Sequence, residues 1–318
     1  MVGLMTPPEV VTLGEALVAV RPTDATPALH AATFTLAATG AEANVVLALS
    51  RLGHRTAFLG RVGDDTAGRR IRRTLQADGV DTSGLRTDAS APTALLLRDV
   101  AGQRPTTVDY HRSGSAGARL EPDDVEVSLI AGARFLHVTG LTCGLSATAA
   151  RAVEHAVALA AAAGTAVSLD PNLRARLHPP ETWRRLVAPL LAHVGLVIGS
   201  SDELCVVTGS ADTPQAIDRL LSAGVGTVVI RGGTAPTRVV TPDEQVQVEV
   251  RPVEPVDPVG AGDAFAGGLL SGLLDELDLP AVVARAHAVA RRCVQVAGDT
   301  EGLPTRGELA REDGEVVR

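Results

Sequence analysis

Lysine is absent from this 318-residue chain, so all 29 of its basic residues are arginine. That absence excludes two chemistries. A Walker-type phosphate loop needs a lysine beside its glycines, and a Schiff-base enzyme needs one as its nucleophile. Cysteine is scarce as well: Cys143, Cys205 and Cys293 are scattered with no C-x-x-C pair. This excludes a disulfide or zinc framework and fits a reduced, cytoplasmic protein. The formal charge of −8 offers no basic face for nucleic acid. The opening "MVGLMTPPEVVTLGE" has no basic region ahead of a long apolar core, so no signal peptide is expected. The apolar stretch from Ala147 to Leu169 is interrupted by Arg151, Glu154, His155 and Gly164, which reads as a soluble alanine-rich helix and not as a membrane span.

With 45% hydrophobic and 21% charged residues, the chain is long enough to bury a substantial core, as one large domain with a small appendage. Three segments repeat one local grammar. "AEANVVLALSRLGHRTAFLG" gives an apolar helical face, a stop at Gly53 and a strand near Thr56–Leu59. "SATAARAVEHAVALAAAAGTAVSLD" places Ser146 as an N-cap, Gly164 as a C-cap and a strand over Thr165–Leu169. "TPQAIDRLLSAGVGTVVIRGG" runs helix to Ala223, then Gly224, then a strand over Thr227–Ile230. Helix, glycine and buried strand recurring in this way predict an α/β fold, with a mostly parallel central sheet flanked by helices. Ligands bind at the carboxyl ends of such strands.

Leu17–Leu36 and Pro92–Arg112 break the grammar. They are strand-like and turn-rich, with alternation such as "TALLLRD" and "TTVDYHR". Ordinary edge hairpins are one reading; a small β-sheet lid closing over a substrate is the other, and the preferred one. The expected division is a core of residues 1–16, 37–91 and 113–318, with 17–36 and 92–112 forming the β-lid.

The stretch "DPVGAGDAFAGG", Asp257 to Gly268, carries the chemistry. A glycine turn feeding a helix N-terminus presents unpaired N–H groups and the positive end of a dipole, a ready anion site. A dinucleotide fingerprint would need glycine where Phe265 stands, and an early βα turn. Asp263 beside the anion turn would repel a bound phosphate unless it does something useful, such as accepting the proton of an attacking hydroxyl. Gly267 and Gly268, one turn further on, fit close helix packing.

This stretch resembles the D-T-x-G-A-G-D signature of the ribokinase-like (PfkB) carbohydrate kinases, with Pro258 in place of the threonine. An N-terminal counterpart, "TGAEANVVLALSRLGHRTAFLGRVGDDTAG", is similar to the family's G-G-x-x-x-N region, with Ala41 replacing the second glycine. The resemblance implies a ribokinase-like fold and ATP-dependent phosphoryl transfer. It implies Asp263 as base, the amides of Gly260, Ala261 and Gly262 as anion hole, and Gly40, Ala41 and Asn44 facing the sugar. "GSSDELCVVTG" is similar to the N-x-x-E region. It implies Glu203 organising Mg²⁺ through water, with Ser200 in place of the asparagine. "VVIRGGTAPT" implies Arg231 and Gly233 at the nucleotide, with Pro236 where a glycine is common. His287 stands where the family often carries asparagine on the nucleotide side; a packed helical histidine is the plainer reading. A monovalent cation is a further cofactor the family allows.

Two arginines bear on the substrate. "VDYHRSGSA" brings Tyr110, the only tyrosine, next to His111 and Arg112, and "LDPNLRARL" places Asp170, Asn172 and Arg174 just past a buried strand. Arginine's planar fork matches a carboxylate, which a neutral hexose lacks; plain surface charges are the alternative. Y-x-R-x-x-S-A followed by D-P-N-x-R resembles the branch of the family acting on 2-keto-3-deoxygluconate. The opening "VVTLGEALVAVRP", with Glu15, resembles it too. This implies substrate contacts by Tyr110, Arg112, Arg174 and Asp299, with Asn172 and Arg174 also within reach of ATP. A fructokinase or another sugar kinase of the same fold is the nearest alternative, and a sugar sensor that has lost catalysis is a further one. The partners implied are an acidic sugar and ATP, and a second copy of the chain pairing through exposed lid edges.

Overall fold

The computed structural model describes residues 6–24, 26–99 and 107–311. Residues 1–5 and 312–318 of the expected core, and 25 and 100–106 of the expected lid segments, lie outside the described residues. In chain order the strands are β1 (Val10–Leu13), β2 (Leu17–Pro22), β3 (Phe34–Thr39), β4 (Thr56–Gly63), β5 (Leu85–Asp88), β6 (Leu95–Asp99) and β7 (Thr107–His111). They continue with β8 (Phe135–Thr139), β9 (Ala166–Asp170), β10 (Leu196–Ser200), β11 (Thr227–Arg231), β12 (Thr237–Val240) and β13 (Gln245–Val248). A nine-stranded sheet has the order β13-β12-β11-β10-β9-β8-β1-β4-β5, and a separate four-stranded sheet the order β3-β2-β6-β7. The large sheet is parallel from β5 through to β11; only β12 and β13 pair antiparallel.

Burial on both faces explains the near-continuous apolar runs of the central strands. In β1, Val11 and Leu13 pack into the cluster that holds the Ala147–Ala163 helix, while Val10 packs into the one holding the Ala261–Leu274 helix. β10 divides in the same way, Val197 to one side and Leu196 with Ile198 to the other. Strand alternation thus feeds two cores, one on each face.

The three predicted helix–glycine–strand units form with small shifts of boundary. The Ala147–Ala163 helix starts at Ser146, whose hydroxyl accepts the Ala149 N–H at 3.0 Å, and stops at Gly164 in the left-handed conformation (φ 76°). β4 runs on from Thr56 to Gly63, past the predicted end at Leu59, because β1 and β5 flank it on successive stretches. Asp170, Ser200 and Arg231 are the last residues of β9, β10 and β11, so three polar side chains emerge together at one carboxyl edge of the sheet.

Candidate active site

At that edge lies a cavity of about 380 Å³ whose wall comes from both sheets. The Ala261–Leu274 helix points its N-terminus into it. Gly260 precedes that helix with φ 81°, and a Cβ there would stand 2.5 Å from the Asp299 carbonyl oxygen, so only glycine fits the turn. Ala261 and Gly262 are therefore already helical, where the sequence reads them as turn. The N–H groups of Gly262 and Asp263 have no acceptor among the described residues. Free first-turn amides at the positive end of a 14-residue helix attract an anion.

Asp263 sits in that first turn. Its Oδ2 accepts a hydrogen bond from Asn44 Nδ2 at 2.8 Å, and its Oδ1 has no partner among the described residues. The carboxyl reaches the cavity while packed among protein atoms, and this burial pushes its pKa up to about 7. The Asn44 bond and the charge of Arg174 work downward, while Asp170 and Asp299 work upward. Asn44 is placed by the Ala41–Arg51 helix, which begins at Gly40 (φ 143°) where the chain turns off β3 against the Glu15 carbonyl. That explains a second polar residue, beside Glu42, in the first turn of this helix.

Arg231 forms a fork onto Asp170, with Nη1 to Oδ2 at 2.8 Å and Nη2 to Oδ1 at 3.1 Å, and Nη2 also reaches Glu203 Oε2 at 3.3 Å. Glu203 accepts the N–H and hydroxyl of Ser200 at 2.8 and 2.9 Å and the Leu173 N–H at 3.0 Å. Burial works to raise the Glu203 pKa, but Arg231 and these hydrogen bonds hold it below the usual range. Asn172, at φ 43°, turns the chain out of β9 and leads to Arg174. Arg174 is exposed, lines the cavity, and has no hydrogen-bond or ion-pair partner for its guanidinium among the described residues. Arg112 is different. Its Nε donates to Glu15 Oε2 at 2.9 Å and its Nη2 to the same oxygen, while the guanidinium carbon stands 4.6 Å from the centre of the Tyr110 ring. Ser115 donates to the other Glu15 oxygen at 2.9 Å.

The cavity wall brings together Gly40, Ala41, Asn44, Tyr110, Arg112, Asn172, Arg174, Glu203, Arg231, the Gly260–Asp263 run and Asp299, from both ends of the chain. Ser200 stands behind Glu203 as the N-cap of the Ser201–Thr208 helix. Gly233 lies in the turn between β11 and β12. His287 lines a second cavity of about 660 Å³ and bonds Thr237 Oγ1 at 2.8 Å. These three do not line the first cavity. Sequence reasoning missed Arg98, which lies in its wall and bonds Asp257 and Asp299. The signal was present: alternation in "LLLRD" turns Arg98 inward with the buried Leu96.

Known proteins resemble the chain over nearly its whole length. Residues 7–306 match the pfkB family carbohydrate kinases. The chain is 33% identical over 302 residues to a 2-dehydro-3-deoxygluconokinase of Thermoproteus tenax, covering 94% of this chain and 92% of that one. It is 34% identical over 281 residues to a fructokinase of Klebsiella pneumoniae, covering 86% and 90%. Among solved structures, a proposed ribokinase II of E. coli in complex with ATP and Mg²⁺ superposes with a TM-score of 0.89 at 25% identity, covering 95% and 98%. A family match across nearly the whole chain, on a ribokinase-like fold with a glycine turn and a half-buried aspartate at one carboxyl edge of the sheet, leaves one conclusion: the chain belongs to the pfkB family of carbohydrate kinases, and it is a sugar kinase.

Proposed function

We propose that the substrate is 2-keto-3-deoxygluconate, phosphorylated at its terminal hydroxyl to the 6-phosphate with ATP as donor. The observation that carries this is Arg174, an exposed guanidinium at the cavity with no partner among the described residues, facing the same space as Tyr110 and Arg112. A free guanidinium is a recognition group for a carboxylate. Arg112 supports the reading differently: held by Glu15 over Tyr110, it is pre-oriented, with Nη1 making no hydrogen bond among the described residues and so left for a ligand. The 2-dehydro-3-deoxygluconokinase among its relatives is consistent with this, although the fructokinase is just as similar in identity.

In this reading Asp263 Oδ1 takes the proton of the attacking hydroxyl, Asn44 holds the other carboxylate oxygen, and the backbone at Gly260–Gly262 receives the charge of the transferred group. It does so chiefly through the N–H groups of Gly262 and Asp263, because the Ala261 N–H already reaches the Pro258 carbonyl at 3.5 Å. Support comes from a pKa raised toward neutrality, the range a general base requires, and from free first-turn amides beside it. Phosphoryl transfer asks chiefly for such positioning and electrostatics. No cluster of three or more metal-ligating side chains exists among the described residues. Glu203 already accepts four protein hydrogen bonds. That suits an Mg²⁺ carried in on the nucleotide phosphates, reached by Glu203 through water. Bound there, it would neutralise charge on the phosphates.

The small sheet acts as the lid, because Leu17, Leu96, Val108 and Tyr110 lie on its strands, Arg112 directly follows β7, and all five line the cavity. Phe34, Leu36 and Leu95 of the same sheet are exposed apolar side chains, which supports a homodimer through it. Free Cys143, Cys205 and Cys293 suit a cytoplasmic setting. ADP release measured with 2-keto-3-deoxygluconate, its galactonate epimer, fructose, ribose and adenosine tests the assignment. Preference for the acid sugars supports it; preference for fructose overturns it.

A further inference from the structure

Three segments of the chain meet at one buried cation, and a fourth is tied to them through Asp299. Arg98 leaves β6 of the small sheet and is 1% exposed. Its Nη1 donates to Asp257 Oδ2 at 3.0 Å and its Nη2 to Asp299 Oδ1. Both carboxylates are themselves buried. Asp257 also accepts the N–H groups of Val259 at 3.1 Å and Gly298 at 3.0 Å. Asp299 also accepts the Thr39 hydroxyl, which lies 3.4 Å from Asn44 Oδ1. Asn44 in turn holds Asp263.

A guanidinium between two buried carboxylates is a poor device for stability, because desolvating the ions offsets much of their attraction. What such a cluster fixes is geometry. Asp257 heads the turn that ends at Gly260, and the Asp299 carbonyl closes the other side of Gly260 so tightly that no Cβ fits. With two like charges close together, the turn would spread unless a cation stood between them.

We propose that Arg98 is a positioning residue for phosphoryl transfer: an internal counter-ion that clamps the Asp257–Gly260 turn to Asp299 and so sets where the anion-binding amides and Asp263 stand. Because Arg98 belongs to the small sheet, the same clamp fixes that sheet's position over the cavity relative to the reacting groups. The proposal rests on the reading of Asp263 and the glycine turn as the reacting site. Amides and base act on charge that develops only in the transition state, so displacing them lowers kcat more than it raises KM.

The test compares Arg98→Met, close in length but uncharged, with Arg98→Lys. Each is assayed with whichever sugar the wild-type enzyme turns over fastest, so a wrong substrate assignment and a wrong role for Arg98 give different results. Arg98→Met is expected to lose about 100-fold in kcat, the scale of a small misplacement. KM for sugar and ATP should stay within about threefold. Millimolar guanidinium chloride should restore part of that loss, urea at equal concentration should not, and Arg98→Lys should keep more activity than Arg98→Met. A kcat for Arg98→Met within about twofold of wild type overturns the proposal. So does a loss that follows the fraction of unfolded protein and yields neither to guanidinium nor to lysine.

Discussion

The side-chain amide of Asn44 donates to Asp263 Oδ2 across 2.8 Å, joining residues 219 positions apart. This bond favours the ionised carboxylate against the burial that raises its pKa to about 7. Charged or titratable groups that act on Asp263 or feel its charge include Asp170, Asp299, Arg174, Arg231 and Cys293. A base must be deprotonated to work, so kcat/KM should rise with pH and level off above about 7. Asn44→Ala removes a hydrogen bond to a charged group, about 1.5–3 kcal/mol. The acid limb of the pH–rate profile should then move upward by about one unit or more, with a lower plateau. A limb that stays in place would separate the two residues functionally.

Asp263→Asn should abolish turnover, a loss of at least about 100-fold, while nucleotide binding measured by calorimetry persists. Stability should move the other way. An aspartate in the unfolded chain titrates near ~3.9, and the folded value is about 7. Between these values the folded state binds the extra proton, so the stabilisation is complete below the lower value and is lost as pH rises through the upper one. Asparagine has no charge to bury. The variant should melt above the wild type at about pH 8 and close to it at about pH 5. Equal melting temperatures at the higher pH would contradict the raised pKa.

Arg174 and Arg112 should separate kinetically. Arg174→Ala removes a guanidinium with no protein partner among the described residues. It should raise KM for the acid sugar by about 10–100-fold, with little change for fructose. Arg112→Ala also leaves Glu15 buried without its cation, and burial already holds the Glu15 pKa above its ordinary value. That variant should lose both substrate affinity and thermal stability, seen as a raised KM together with a lower melting temperature. Equal KM changes for acid and neutral sugars in Arg174→Ala would remove the carboxylate from its role.

Local features were legible in the sequence, and long-range pairings were not. Ser146, Gly164 and Gly224 punctuate the helices because capping depends on neighbours a few residues away. The glycine turn and Asp263 were legible because both lie in one short motif. Arg98 escaped because the carboxylates that hold it lie 159 and 201 residues further along. Arg112 was recognised as a cation beside a ligand, but its partner Glu15, 97 residues earlier, could not be read from residue types. Glu42 is the clearest case. It looks like an ordinary charge in a helix's first turn, yet it is buried with its Oε1 accepting the hydroxyls of Thr139, at the end of β8, and of Thr142 just after it. Burial pushes its pKa up to about 7.

Three of the four glycines of the Asp257–Gly268 stretch, Gly260, Gly267 and Gly268, should divide by what each one is for. Gly260→Ala asks alanine to adopt φ 81° and places a Cβ 2.5 Å from the Asp299 carbonyl oxygen, where backbone must move. The left-handed conformation alone costs about 1–2 kcal/mol, and the displaced turn carries the anion-binding amides with it. A fall in kcat of about 100-fold is expected. Gly267→Ala meets Ala48 Cβ at 2.6 Å and Gly268→Ala meets Ala286 Cα at 2.8 Å, both at helix–helix contacts in the core. Overpacking there costs about 1–3 kcal/mol. It should appear as a lower melting temperature with kcat of the folded enzyme retained. Parallel kinetics and thermal melts on the three variants decide the division: a loss of kcat in Gly268→Ala without a change in melting would place that glycine with the reacting site after all.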